Sequence, residues 1–88
     1  SLLFSFLVPV HVNFHMIDVA LPLDIAFIDV SKQVISIQRM DRQESNQSIK
    51  YYRANTKIYY ALETMAGRLD QLRKNPGLWS MRVSSRNQ

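Results

Sequence analysis

The carboxylates of this 88-residue chain are the side chains whose types and spacing are suited to acid–base chemistry. Asp24 and Asp29 lie five residues apart in a stretch with strand character, so they point to opposite faces and form no close pair unless a bulge intervenes. Asp24 follows a Pro-Leu pair, where its side chain is suited to accept a backbone N–H as a turn or capping residue. Asp18 and Glu63 are acids that a fold could bring beside it, as general acid–base catalysis requires. A structural role for both strand aspartates is the stronger expectation, and a small acid–base or metal-dependent hydrolase is the alternative.

The histidines do not predict a metal site. His11 and His15 share one face of a predicted strand about 13 Å apart, whereas a zinc ligand must come within about 2 Å of the ion. The chain has no cysteine, which excludes disulfides and thiolate metal sites. It also contains no glycine-rich phosphate loop, nucleophile elbow or H-E-x-x-H motif. The sequence therefore predicts no metal and no cofactor, and it favours a binding protein over an enzyme.

Basic residues are concentrated in the second half of the chain. Residues 1–44 carry three basic and five acidic groups, a net charge of −2, whereas residues 45–88 carry eight basic and two acidic groups, a net charge of +6. Cations and tyrosines are interleaved there, with Tyr59 and Tyr60 nearby and Arg82 and Arg86 further along. The candidate binding residues are the aspartates Asp24 and Asp29 and, in this basic segment, Lys50, Tyr51, Tyr52, Arg53 and Lys57. Single-strand nucleic-acid binders combine the same side chains, but tyrosine is also enriched at protein interfaces. A protein partner or homo-oligomer is ranked above nucleic acid.

The first half of the chain reads as strands. Leu2–Val8 is apolar almost throughout, which predicts a strand covered on both faces, and Pro9 predicts a bend or bulge after it. Polar and apolar residues alternate from Val10 to Met16, which predicts a half-buried strand. Two further strands are predicted at 25–30 and Val34–Met40, joined by a turn at 30–33. The polar stretch 41–50 is predicted to be a loop.

The second half admits two interpretations. A helical stripe with spacings of four and three residues runs through Ile58, Leu62, Met65, Leu69 and Leu72. One long helix would satisfy it, but an internal glycine costs about 1 kcal/mol relative to alanine and paired tyrosines favour a strand. The alternative is a strand over 57–63 followed by a short helix over 65–74, stopped at 75–77. A last strand is predicted at 78–83, so residues 1–83 form a single domain and 84–88 a flexible tail.

Several segments together resemble a known family. Pro22-Leu23-Asp24-Ile25-Ala26-Phe27-Ile28-Asp29 is similar to the P-L-D-I-x-F-I-D block of the "domain of unknown function 192" family, and Phe14-His15-Met16 stands where that family has F-W-M. Leu2-Leu3-Phe4-Ser5-Phe6 resembles its M-L-F-x-F strand, and Tyr59-Tyr60-Ala61-Leu62-Glu63 with Ala66-Gly67 resembles its Y-V-L-E-x-x-A-G element. The resemblance covers residues 2–77. It implies a jelly-roll-like β-sandwich with one short helix, a strand that ends at Glu63, and no agreed activity.

The chain departs from the family pattern in three places. The Trp-Met-Lys-Asn portion reads His15-Met16-Ile17-Asp18, and the turn after Asp29 lacks the usual glycine. The family also has a further segment before the first strand, and this chain begins after it. Loss of flanking strands would expose a sheet edge, and exposed edges pair with other chains. A self-associating protein or a component of a larger assembly is therefore expected.

These observations predict a mainly β fold, a β-sandwich of the jelly-roll type with one short C-terminal helix. The predicted function is a non-catalytic binding or assembly module, such as a structural subunit of a virus particle. The apolar opening 1–10 is shorter than the roughly 20 residues that span a bilayer, so no membrane partner is expected. The absence of cysteine and of a recognisable signal peptide favours the cytoplasm or a virus particle.

Overall fold

The computed structural model describes residues 1–74 of the chain, except for the side chain of Arg73. Its elements in chain order are the strands β1 (Leu2–Val10), β2 (Leu23–Ile28), β3 (Val34–Met40) and β4 (Ile58–Met65), followed by the helix α1 (Asp70–Lys74). The strands form one antiparallel sheet in the order β1-β4-β2-β3. The predicted mainly β fold with a short helix is confirmed, whereas the jelly-roll sandwich is not, because the described strands form a single sheet. The predicted helix stop at 75–77, strand at 78–83 and tail at 84–88 lie outside the described residues.

Strand β2 is the centre of the sheet. It pairs with β3 on one side and β4 on the other, and Leu23 lies opposite Met40 and Met65. Its residues are buried from Asp24 to Ile28. Side chains alternate between the two faces of a strand, and the apolar content of this segment lets both faces be covered. The prediction of a strand here is confirmed, two residues earlier than expected at each end.

The core lies between one face of the sheet and two irregular segments, 11–22 and 41–57. Phe14 and Tyr52 join these segments by reciprocal backbone hydrogen bonds of 2.9 and 2.8 Å. The ring of Phe14 packs 5.2 Å from that of Phe4 and 5.9 Å from that of Phe27, measured between ring centroids. The predicted strand from Val10 to Met16 is therefore wrong beyond Val10, because within residues 1–74 the segment makes one isolated bridge there and no strand. The predicted alternation of faces is confirmed, since Phe14 and Met16 are buried.

Among the described strands, β1 pairs with β4 alone, and its faces are open, since Leu7 is 96% exposed and Val8 62% exposed. The predicted irregularity near Pro9 is confirmed. The pairing shifts between Ser5 and Val10, where β1 advances five residues while β4 advances two.

The long-helix interpretation of the second half is wrong. Residues Ile58–Met65 form β4, which pairs with both β1 and β2. A turn follows, with Gly67 at a φ of +94°, and helix α1 begins only at Asp70. The alternative of a strand and a short helix is confirmed, although the strand runs two residues further than 57–63 and the helix is shorter than 65–74. Backbone pairing on two sides outweighs the local helical stripe.

The turn between β2 and β3 is organised by Asp29. Its Oδ1 accepts hydrogen bonds from the backbone N–H and the hydroxyl of Ser31, at 3.0 and 2.9 Å, and from the N–H of Gln33 at 2.9 Å. Lys32 adopts a φ of +68° in this turn, a conformation that costs most residues about 1–2 kcal/mol and glycine almost nothing. Glycine is therefore the residue that this turn position would accommodate with the least strain.

Lys32→Gly is expected to raise the free energy of unfolding by about 0.5–1 kcal/mol, because relief of the left-handed strain exceeds the added chain entropy of the unfolded state. Urea denaturation followed by circular dichroism measures the change. Ser31→Gly is the matched control and is expected to destabilise, since it removes the hydroxyl bonded to Asp29. A Lys32→Gly protein no more stable than the parent would contradict the explanation.

Candidate functional site

The best-defined polar cluster surrounds Asp24, on the sheet face opposite the core. Asp24 is completely buried. Its Oδ1 accepts a hydrogen bond from Nε of Arg39, which lies directly across on β3, and its Oδ2 accepts one of 2.8 Å from the N–H of Gly67. The hydrogen bond to Asp24 raises the pKa of Arg39. Nη2 of Arg39 lies 3.7 Å from a carboxylate oxygen of Asp70 at the start of α1.

The Asp24 cluster ties three elements together. Asp24 in β2 holds Arg39 in β3 and the turn after β4, where the N–H of Ala66 also reaches the carbonyl of Pro22 at 3.4 Å. The two most characteristic motif segments of the sequence, Pro-Leu-Asp and Ala-Gly, are thus bonded to each other. The prediction that Asp24 accepts a backbone N–H is confirmed. Its geometry is that of a structural clamp, and a ligand-binding role for Asp24 or Asp29 stays a prediction.

The other acidic candidates lie elsewhere. Glu63 pairs with Ile25 and therefore points to the face opposite Asp24, where it lines a cavity of about 240 Å³. Asp18 lines a separate cavity of about 290 Å³ beside Glu44. The hydrolase alternative required two of these carboxylates in one pocket, and their positions give it no support. Within residues 1–74 no group of three or more histidine, aspartate and glutamate side chains is arranged to hold a metal ion.

The fold changes the titration of Glu63. Partial burial raises its pKa above the usual 4.5. The folded state therefore binds the Glu63 proton more tightly than the unfolded chain does. The contribution of protonated Glu63 to the free energy of unfolding is fully present below pH 4.5 and is lost as pH rises through the pKa of Glu63 in the folded state.

Glu63→Gln is expected to remove this loss of stability between acid and neutral pH. The difference in free energy of unfolding between parent and variant, measured by urea denaturation at a series of pH values, should grow in favour of the variant as pH rises. Gln47→Ala is the control, because this exposed side chain carries no charge and its replacement should give a profile parallel to that of the parent. A Glu63→Gln profile parallel to that of the parent would contradict the assignment.

The basic segment lies along the surface, with one exception. Lys50, Tyr51, Arg53 and Lys57 are exposed, whereas Tyr52 is only 5% exposed and belongs to the core. Nζ of Lys50 lies 5.1 Å from the centroid of the Tyr52 ring, a cation–π contact. A cavity of about 440 Å³ opens beside this pair. The structure therefore leaves four of these five residues exposed and turns Tyr52 inward, and their role in binding stays a prediction.

Gln43 is a residue that the sequence gave no reason to single out. Its Nε2 donates to the carbonyls of Glu44, Gln47 and Ser48, at 3.2, 3.4 and 3.1 Å. Its Oε1 accepts a 3.0 Å hydrogen bond from the N–H of Lys50. One side chain thus fixes the 41–50 loop and the position of Lys50. Nothing in a polar run of glutamine, asparagine and serine distinguishes it beforehand.

Comparison with known proteins gives one match. The model of the DUF192 family, described as an uncharacterized ACR, matches residues 1–78. No curated protein and no solved structure matches the chain. Among the described residues, no helix is long and apolar enough to cross a membrane.

Proposed function

The chain belongs to the uncharacterized DUF192 family, and on that premise we propose that it is a non-catalytic assembly module that self-associates through the free edge of β1. The observation that carries the proposal is the exposure of Leu7, at 96%, in an edge strand. An edge strand presents unpaired N–H and C=O groups, which recruit another strand. A structural subunit of a larger complex, such as a virus particle, is the narrower form of this proposal.

The composition of β1 supports pairing between identical chains. Residues 1–10 contain no charged side chain, so two copies can align without charge repulsion although each carries a net charge of +4. The irregular part of β1, between Ser5 and Val10, is held in place because the hydroxyl of Tyr59 donates a 3.1 Å hydrogen bond to the carbonyl of Leu7. Leu7 and Val8 therefore project from a defined position.

The opposite edge of the sheet is less suited to this role. Strand β3 carries the charged Arg39 and is flanked by the irregular segment 53–56, since Nε2 of Gln38 donates a 2.9 Å hydrogen bond to the carbonyl of Arg53. Charges and covering loops are among the devices that protect edge strands, as are prolines and bulges, which β1 has only in its second half, at Pro9 and between Ser5 and Val10. The contrast between the two edges favours β1 as the association surface.

Light scattering coupled to size-exclusion chromatography tests the proposal. The parent chain is expected to gain mass with concentration, and Leu7→Lys is expected to weaken this association by at least about tenfold, because it places like charges in the paired strands. Val30→Lys is the matched control, since Val30 is also exposed, at 64%, but lies in the β2–β3 turn. A parent chain that stays monomeric at high concentration would reject the proposal.

Nucleic-acid binding is the second candidate function. It is favoured by the exposure of Tyr51 beside the exposed cations Lys50, Arg53 and Lys57, because single-strand binders combine aromatic stacking with basic side chains. Fluorescence anisotropy with a single-stranded oligonucleotide should show affinity that falls steeply as salt rises. Binding that does not weaken with salt, or no binding, would argue against it.

A further inference from the structure

The cavity of about 440 Å³ beside the 41–50 loop is large enough to hold an organic molecule. It is lined by six residues of that loop and by the buried Tyr52, and none of its lining residues belongs to β1. Small-molecule pockets usually have volumes of about 300–1,000 Å³. Because the loop side chains of this wall are all polar or charged, the cavity suits a ligand that offers charge and hydrogen bonds.

Two cations line this cavity, and one of them is held in place. Nζ of Lys50 lies 5.1 Å from the centroid of the Tyr52 ring, so a core side chain positions the ammonium at the cavity wall. A cation–π contact involves the face of the ring, and an ammonium carries three N–H donors for an anion. Within the described part of the chain, no carboxylate lies within ion-pair distance of Lys50. Arg42 is paired loosely, since its Nη2 lies 3.8 Å from Glu44 and both side chains are more than half exposed.

Gln43 shapes the cavity from within the loop. Its amide nitrogen donates to three loop carbonyls, and its amide oxygen accepts the N–H of Lys50. The loop that carries most of the lining residues is therefore ordered without a ligand. A preorganised loop loses less conformational entropy when a ligand binds, which favours affinity for a small molecule.

Uncharged polar groups and one acid complete the cavity wall. Gln47 and Ser48 bond within the loop through backbone atoms, and both are exposed residues of the wall that carry an amide and a hydroxyl. Asp41 is exposed and supplies carboxylate acceptors. An acid beside two cations repels a bare anion but accepts hydrogen bonds from hydroxyls. The wall therefore matches a molecule that carries both an anionic group and several hydroxyls.

We propose that the cavity beside the 41–50 loop binds a phosphorylated sugar. Arg42 and Lys50 bind the phosphate, since charge-assisted hydrogen bonds are roughly twice as strong as neutral ones, and the acid, amide and hydroxyl of the loop bind the sugar hydroxyls. A free sugar phosphate and the ribose phosphate of a nucleotide share this chemistry. The site is independent of self-association through β1, and its wall does not include Tyr51, the exposed aromatic of the nucleic-acid candidate surface.

Nuclear magnetic resonance titration of the ¹⁵N-labelled chain tests the site, with ribose 5-phosphate as the probe at an ionic strength held constant with sodium chloride. The backbone amides of Gln43, Ser48 and Lys50 are expected to shift and saturate with a dissociation constant on the order of millimolar, the affinity reached by ligands of so few atoms. Inorganic phosphate and ribose should each bind at least about tenfold more weakly, because each makes only part of the contacts. Adenosine monophosphate distinguishes the two sources. Tighter binding than ribose 5-phosphate assigns a nucleotide, and equal or weaker binding assigns a free sugar phosphate.

Lys50→Gln is the decisive variant. It removes the ammonium from the cavity wall but keeps the backbone N–H that bonds to Gln43, so the loop is expected to keep its fold. Ribose 5-phosphate should bind at least about tenfold more weakly, the loss of a hydrogen bond to a charged group. Arg42→Gln should weaken binding in the same way. Lys32→Gln is the matched control, because it removes an equal charge from the exposed β2–β3 turn, and it should bind as the parent does.

Asp41→Ala tests the sugar part of the site. It removes both an acceptor for hydroxyls and a charge that repels a bare anion, so the preference for ribose 5-phosphate over inorganic phosphate should fall. Absence of saturation, ribose 5-phosphate bound no more tightly than inorganic phosphate, or equal affinities of Lys50→Gln and Lys32→Gln would overturn the proposal.

Discussion

Replacing Asp24 with alanine is expected to lower the free energy of unfolding by about 2–4 kcal/mol, because its carboxylate accepts two hydrogen bonds and a hydrogen bond to a charged group contributes about 1.5–3 kcal/mol. The carboxylate is completely buried and joins β2 to β3 through Arg39 and to the turn after β4 through the N–H of Gly67. Its loss leaves that N–H without its acceptor and the guanidinium without its principal counter-charge. A domain of this size has about 5–15 kcal/mol of stability in total, so urea denaturation should show a large shift of the midpoint.

Two further variants separate the contributions at this position. Asp24→Asn removes the charge but retains an oxygen that can accept from Gly67, so an intermediate loss is expected. Asp41→Ala removes an exposed carboxyl just after β3 and should change stability by less than about 0.5 kcal/mol. If Asp24→Ala were as stable as Asp41→Ala, Asp24 would not be a structural clamp and a functional role would become the better explanation.

Tyr51 and Tyr52 are adjacent in sequence, but their replacement by alanine should change the free energy of unfolding by very different amounts. Tyr52 is 5% exposed, and its backbone pairs with Phe14 to join the two segments that cover the core. Tyr52→Ala should therefore cost about 3–5 kcal/mol, as for other large aromatic truncations in cores. Tyr51 is 55% exposed, and Tyr51→Ala should stay within about 0.5 kcal/mol of the parent.

Thermal unfolding and oligonucleotide anisotropy on the same two variants distinguish packing from binding. Tyr52→Ala is expected to unfold at a much lower temperature than Tyr51→Ala. If the basic segment binds nucleic acid, Tyr51→Ala should weaken binding while remaining folded. Equal stability of the two variants would contradict the placement of Tyr52 in the core.

Local patterns predicted much of the sheet. The strand Val34–Met40 is found with the predicted bounds, the turn at 30–33 and the loop at 41–50 are present, and Pro9 lies in an irregular part of β1. Each of these depends on neighbouring residues alone, through alternation, turn propensity or the missing N–H of proline. Two predictions for the first half of the chain were wrong: that β1 is buried and that residues 11–16 form a strand. Both depend on which other segments pack against the one in question, and the local sequence pattern does not contain that information.

The candidate site was predicted less completely than the fold. The basic segment is correctly placed at the surface, but one of its five residues, Tyr52, is turned inward. Gln43 was not anticipated, because a glutamine that fixes a loop looks like any other polar residue in a sequence. The acids Asp18, Asp24 and Glu63 could be named as candidates, but only their three-dimensional positions show that they lie apart.

The sequence by itself determined that this protein is mainly β, that it has no thiolate chemistry, and that Asp24 serves as a hydrogen-bond acceptor, because these follow from composition and from the order of residues along the chain. The tertiary structure decided that Ile58–Met65 is a strand, that β1 lies at the edge of the sheet formed by the described strands, and that Asp24 joins Arg39 to Gly67. Each of these depends on contacts between segments up to about sixty residues apart. A helix would also satisfy the backbone of Ile58–Met65, but it would leave one side of the buried strand β2 without its hydrogen-bond partner, and this selects the sheet.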